Sequence, residues 1–170
     1  MTDITSAQND RIKLVRALQT QAKARRRHNQ IVLEGMRLIN DALNCGALPD
    51  FVLYLKEQTT LDRPAFKVFR HLSDLGVPLF AVTDAILNSV TDLETSPGML
   101  AVFPQPELPV PESPSLVVVL DQMSTPGNLG SALRTATAAG ADLVVLTPNS
   151  VDPSNPKVLR GGMGAHFRVP

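Results

Sequence analysis

Apolar residues along the first part of the chain switch between two periods, and the switches mark elements. Between Asn9 and about His28, Ile12, Val15 and Leu18 recur every three residues, which predicts a helix with one apolar face. Gln30 to Leu33 reads as a short strand leading into Glu34-Gly35. Met36 to Asn44 is helical again, with Met36, Ile39 and Leu43 on one side and Gly46 as the stop. Phe51 to Leu55 is a strand. Pro64 to Leu75 is a helix with Phe66, Phe69 and Leu72 inward, closed by Gly76. Pro78 to Val82 and Met99 to Phe103 are further strands. Alternation of this kind predicts an α/β domain over residues 1–103, large enough to bury a core of its own.

The pattern then breaks. Phe103 to Pro114 holds five of the fourteen prolines of the chain. Proline fixes φ and cannot donate a backbone hydrogen bond, so residues 104–114 read as an extended linker. Beyond it, residues 116–120 and 142–146 look like buried strands around a helix at 128–139. A short helix at 156–160, a glycine-rich turn and a strand at 166–169 follow. Strand, helix, strand predicts a parallel sheet over residues 115–170. Such a sheet needs cover on both faces, which one crossover helix and a fragment of another do not supply.

Composition removes several classes. No apolar run approaches the roughly 20 residues of a membrane span. Met1 to Asn9 is polar with no apolar stretch behind it, so no secretory signal is read and the expected location is cytoplasmic. Cys45 is the single cysteine, and His28, His71 and His166 lie far apart, so neither a disulfide nor a metal site is expected. Net charge is zero but uneven. Residues 1–30 carry seven Lys/Arg against two Asp/Glu, residues 31–114 five against eleven, and residues 115–170 four against three. The cations of the N-terminus point to a nucleic-acid partner: Arg11, Lys13, Lys23, Arg25, Arg26 and Arg27. With six Phe, one Tyr and no Trp, backbone and shape recognition is expected over base stacking.

Two stretches carry chemistry. In Asn128-Leu129-Gly130-Ser131-Ala132-Leu133-Arg134, Pro126-Gly127 reads as the turn, Asn128 as the helix cap and Gly130 as a close contact with the sheet. Arg134 alone has no structural reason, and it follows a strand end, where open α/β sheets bind ligands. No Gly-Lys-Ser/Thr follows Gly127, so this is not a P-loop. In Asn155-Pro156-Lys157, asparagine caps a helix whose first residue is proline. Gly161, Gly162 and Gly164 then permit positive φ or close backbone approach, either as a helix exit or as a ligand cradle.

These residues resemble the SpoU (TrmH-like) family of RNA 2′-O-ribose methyltransferases, in the SPOUT superfamily. Ser6 to Lys13 with Leu33-Glu34-Gly35-Met36-Arg37 is similar to its N-terminal substrate-binding domain, which implies a ribosomal-protein-like α/β fold and adds Arg37 to the RNA-binding candidates. Asp121, Pro126 to Gly130 and Arg134-Thr135-Ala136 resemble the first catalytic motif. Asn155-Pro156-Lys157, Arg160, Met163-Gly164-Ala165 and Val169-Pro170 resemble the second. The resemblance implies S-adenosylmethionine as cofactor, a trefoil-knot domain, and Asn128 and Arg134 in the active site. It further implies a homodimer in the full-length protein and RNA as partner, ribosomal ahead of transfer RNA.

The chain departs from the family at two places. Gly162 stands where serine is usual, and the third motif has no counterpart. The SPOUT domain is therefore expected to be incomplete, its cofactor pocket mostly absent and the isolated chain inactive. The alternative reading is a non-catalytic RNA-binding fragment or degenerate homologue.

Overall fold

The computed structural model describes residues 2–60, 65–91, 93 and 95–170. The chain divides into two compact units, Met1–Pro104 and Gln105–Pro170. The first unit runs β1 (Thr2–Ile4), α1 (Asp10–Thr20), α2 (Ala22–His28), β2 (Gln30–Glu34), α3 (Met36–Asn44), β3 (Phe51–Leu55), α4 (Ala65–Asp74), β4 (Leu79–Val82), α5 (Asp84–Asn88) and β5 (Met99–Pro104). The sheet order is β1-β4-β3-β5-β2, with β1, β4 and β3 parallel and β5 antiparallel to both its neighbours.

Alternation along the strands builds two cores. Phe51, Leu53 and Leu55 of β3, Val32 of β2, and Leu100 and Val102 of β5 pack with Ile12, Val15 and Leu18 of α1 and Ile86 and Leu87 of α5. The intervening residues are buried as well: Tyr54 is 2% exposed and packs its ring 4.9 Å from Phe69 of α4. Helices cover both faces, so every strand residue from Phe51 to Leu55 is buried.

The helix predicted over Asn9 to His28 is two helices. Gln21 is extended, and Arg25 reaches back across the corner to donate to the Leu18 carbonyl at 2.7 Å. β1 and α5 carried no sequence signal. The predicted start at Pro64 lies outside the described residues, and β4 begins one residue past Pro78. In α3 the buried residues are Leu38, Ile39, Ala42 and Leu43, while Met36 is only half-buried. In α4, Val68 replaces Phe66 on the inward face.

The second unit runs β6 (Val117–Leu120), α6 (Pro126–Ala138), β7 (Leu143–Leu146), α7 (Pro156–Gly162) and a 3-10 turn at Ala165–Phe167. β6 and β7 form a parallel pair. One face, with Leu120, Val144 and Leu146, packs on Leu129 and Leu133 of α6 and Val158 of α7. The other is open: Val117, Val119 and Val145 are 41%, 61% and 40% exposed. These strands are therefore half-buried, not fully buried as their apolar run suggests. The strand predicted at 166–169 is absent: Gly164 takes a positive φ of 81°, the backbone coils, and only the Pro170 carbonyl reaches β7, accepting from Val144 N–H at 2.9 Å. At the unit's entrance the Asp142 carboxylate accepts from Ser115 N–H, Ser115 Oγ–H and Leu116 N–H at 2.7, 2.7 and 2.9 Å.

Among the described residues no helix is long and apolar enough to cross a membrane.

Candidate functional site

Helix α6 starts two residues earlier than its sequence suggests. Thr125 is the cap, Pro126 and Gly127 open the first turn, and Asn128 is a helical residue, not the cap. Proline has no N–H to lose at the first position, so the helix can begin there. The amides of Gly127 and Asn128 lie in the first turn, where helical N–H groups lack carbonyl partners within the helix and favour an anion. A Cβ on Gly127 would meet nothing within 4 Å, so that corner is open to a ligand.

The buried side of α6 is Leu129, Gly130, Leu133 and Ala136. Asn128, Ser131 and Arg134 are exposed at three-residue intervals, which places them along one oblique stripe. Long side chains on helices lean toward the N-terminus, so Ser131 and the open first turn lie on the side that an arginine at 134 favours. Neither Asn128 nor Arg134 has a hydrogen-bond or ion-pair partner among the described residues. Ser131 was not among the sequence candidates; its three-residue offset from both was the available signal.

Helix α7 sets the other wall. Asn155 caps it by accepting from Lys157 N–H at 2.9 Å, with Pro156 first in the helix, as its sequence predicts. Gly130 packs against this helix and not against the sheet: a Cβ there would stand 2.8 Å from the Val158 carbonyl oxygen and 2.9 Å from Gly161 Cα. Gly161 and Gly162 are helical, and the left-handed backbone falls on Met163 (φ 47°) and Gly164. Gly162 leaves room for His166, whose Cε1 would be 3.0 Å from a Cβ at that position. The imidazole meets the Pro153 carbonyl at 2.9 Å through Nε2. Burial holds its pKa below the ordinary value, against the opposing pull of that carbonyl and of Asp152.

The loops after β6 and β7 are laced together at the carboxyl ends of the strands. Thr147 Oγ donates to Asp121 at 2.6 Å and accepts from Gln122 N–H at 2.9 Å. Ser150 Oγ accepts from Met123 N–H at 3.1 Å, and Val151 N–H donates to the Met123 carbonyl at 2.8 Å. These bonds tie Asp121, Thr147 and Ser150 between the loops, while Ser124 and Asn149 stay exposed at their tips.

In the first unit the predicted cations separate. Arg11, Lys13, Lys23, Arg26 and Arg27 are exposed on α1 and α2. Lys13 pairs with Asp10 at 3.6 Å. Arg37 is exposed in the first turn of α3. Arg25 is 3% exposed and bonded inward, which removes it from the basic surface.

Residues 9–101 match the MRM3-like substrate binding domain, and residues 115–170 match the SpoU rRNA methylase family. The chain is 40% identical over 154 residues to the mouse (Mus musculus) mitochondrial rRNA methyltransferase 3, covering 86% of this chain and 35% of that one. It is 33% identical over 172 residues to the 23S rRNA (guanosine(2553)-2′-O)-methyltransferase RlmP of Bacillus subtilis, covering 100% of this chain and 64% of that one. An AdoMet-bound rRNA methyltransferase from Sinorhizobium meliloti superimposes with a TM-score of 0.82 at 29% identity, over 99% of this chain and 63% of that one. The chain thus spans about a third of the mitochondrial relative and under two thirds of the bacterial ones.

Proposed function

The chain belongs to the SpoU family of RNA methyltransferases, with an MRM3-like substrate-binding domain ahead of the methylase part, and from that premise we propose that it serves 2′-O-ribose methylation of ribosomal RNA. In this reading residues 1–103 bind the RNA, residues 104–114 link, and residues 115–170 belong to the methyltransferase domain. The work is done where ribosomal RNA is exposed in the cytoplasm, and the full-length protein acts as a homodimer.

The observation that carries the reading is the stripe of Asn128, Ser131 and Arg134 beside the open first turn of α6. A guanidinium stays protonated at any ordinary pH, so Arg134 acts as a fixed cation and not as a base. It holds a backbone phosphate next to the target ribose and so orients the 2′-hydroxyl. It also stabilises the negative charge that grows on that oxygen as its proton leaves for phosphate or water. Asn128 supplies a neutral donor and acceptor at the same surface.

S-adenosylmethionine would supply an electrophilic methyl on a sulfonium. Among the described residues the exposed Ser124 and Asn149, at the carboxyl ends of β6 and β7, are the polar groups that would border it, with Asp121, Thr147 and Ser150 holding the two loops together. The exposed cations of α1 and α2, which need no methyl donor, favour a second reading, RNA binding without catalysis.

The test is transfer of labelled methyl from S-adenosylmethionine to transcribed ribosomal RNA by the full-length protein and by its Arg134→Ala and Arg134→Lys variants. A loss of about a hundredfold or more in both variants, with RNA binding retained, is expected. Full transfer by both variants overturns the role of Arg134. RNA binding with no transfer by the unaltered full-length protein selects the second reading.

A further inference from the structure

Arg11 is exposed in the first turn of α1, yet its guanidinium is not loose. Its carbon lies over the Phe80 ring, 4.2 Å from the centroid, and 6.0 Å from that of Phe51. Phe51 is 7% exposed and meets Phe80 edge-on, with centroids 6.1 Å apart and planes at 75°. A buried ring thus fixes a half-exposed ring, and the half-exposed ring holds the arginine. The neighbouring Asp10 pairs with Lys13 instead, and among the described residues the Arg11 guanidinium has no hydrogen-bond or ion-pair partner. A planar cation is therefore seated over an aromatic ring while its side chain stays exposed to a ligand.

We propose that Arg11, backed by Phe80, is a stacking platform for one unpaired nucleotide of the bound RNA. Unpaired bases stack on guanidinium planes as they do on aromatic rings, and the donor edge suits the phosphate of the same nucleotide. Seating the side chain beforehand removes part of the ordering cost of binding. A base within a duplex has no free face to offer, so the platform favours single-stranded segments. The proposal rests on the RNA-binding reading above, and it gives the aromatic-poor first unit one place where a base, not only a backbone, is recognised.

The experiment measures binding of the full chain to labelled oligoadenylate and to a blunt RNA duplex of equal length, by fluorescence anisotropy across a salt series. Arg11→Lys keeps the charge and loses the plane; Phe80→Leu keeps the apolar packing and loses the ring. Each is expected to weaken oligoadenylate binding about tenfold, with duplex affinity and the salt slope unchanged. Arg11→Lys lies at the surface and keeps the fold testable if Phe80→Leu unfolds. Equal binding of oligoadenylate by wild type and Arg11→Lys overturns the platform while leaving RNA binding intact. Parallel losses on both probes overturn it too, by making Arg11 an ordinary backbone contact. An unaltered chain that binds neither probe at low salt overturns the RNA-binding reading itself.

Discussion

Gly130 and Gly161 bring two helices together backbone to backbone: a Cβ built on Gly130 would stand 2.9 Å from Gly161 Cα and 2.8 Å from the Val158 carbonyl oxygen. Neither obstacle is a side-chain tip that can swing aside. A Cβ on Gly161 meets Gly130 Cα at 3.3 Å and is less severe. Gly130→Ala should therefore cost the second unit about 1–3 kcal/mol or more, as overpacking does, and Gly161→Ala should cost less. Urea unfolding of the two variants checks the order; equal and small losses would show that the helices separate freely.

Arg25 and its neighbours separate stability from binding. Removing the buried hydrogen bond to the Leu18 carbonyl in Arg25→Ala should cost about 1.5–3 kcal/mol, the range for bonds to charged groups. Arg26→Ala and Arg27→Ala should leave stability within about 0.5 kcal/mol and each flatten the salt dependence of RNA binding by about one unit of slope. Denaturant titration and salt-titrated RNA binding give the two readouts.

The His166 environment predicts a pH dependence. Burial depresses the folded-state pKa, so between the folded and unfolded values the unfolded chain holds more protons. Stability is thus full above the ordinary imidazole value of about 6.5 and falls as pH drops through it. Thermal unfolding of wild type and His166→Gln across this range is the measurement, and the difference between the two curves should be constant at neutral and higher pH and change as pH falls below about 6.5.

Asp142 ties the end of the linker to the start of β7. The bonds from Leu116 and from Ser115 hold its carboxyl below the ordinary carboxylate range. The contribution is present at neutral pH and is lost only as pH falls through that depressed value. Asp142→Ala should speed hydrogen exchange at the Ser115 and Leu116 amides at neutral pH while exchange within α6 stays unchanged.

What could be read in advance follows how local each cause is. Met36–Asn44 and Phe51–Leu55 take the bounds their patterns predict, because a periodic apolar face and a glycine stop at Gly46 act within the segment itself. The break at Gln21 was illegible: Thr20 alone in Leu18 to Ala24 weakens a helix, and the corner is held by Arg25 reaching back seven residues. β1 is three residues of mixed character that become a strand only by pairing with β4. Arg134 stood out because no local rule needed it. Phe80 did not, since a phenylalanine in an apolar strand reads as core until Arg11 is seen above it.

The open face of β6 and β7 bears on how this chain fares while it is being made. Val117, Val119 and Val145 become a contiguous wettable-poor surface as soon as the two strands pair, before any partner is at hand. Holding chaperones and neighbouring nascent chains select such surfaces. How soon that face is covered, by further chain or by a partner, then joins the unfolding free energy in setting how long the second unit lasts.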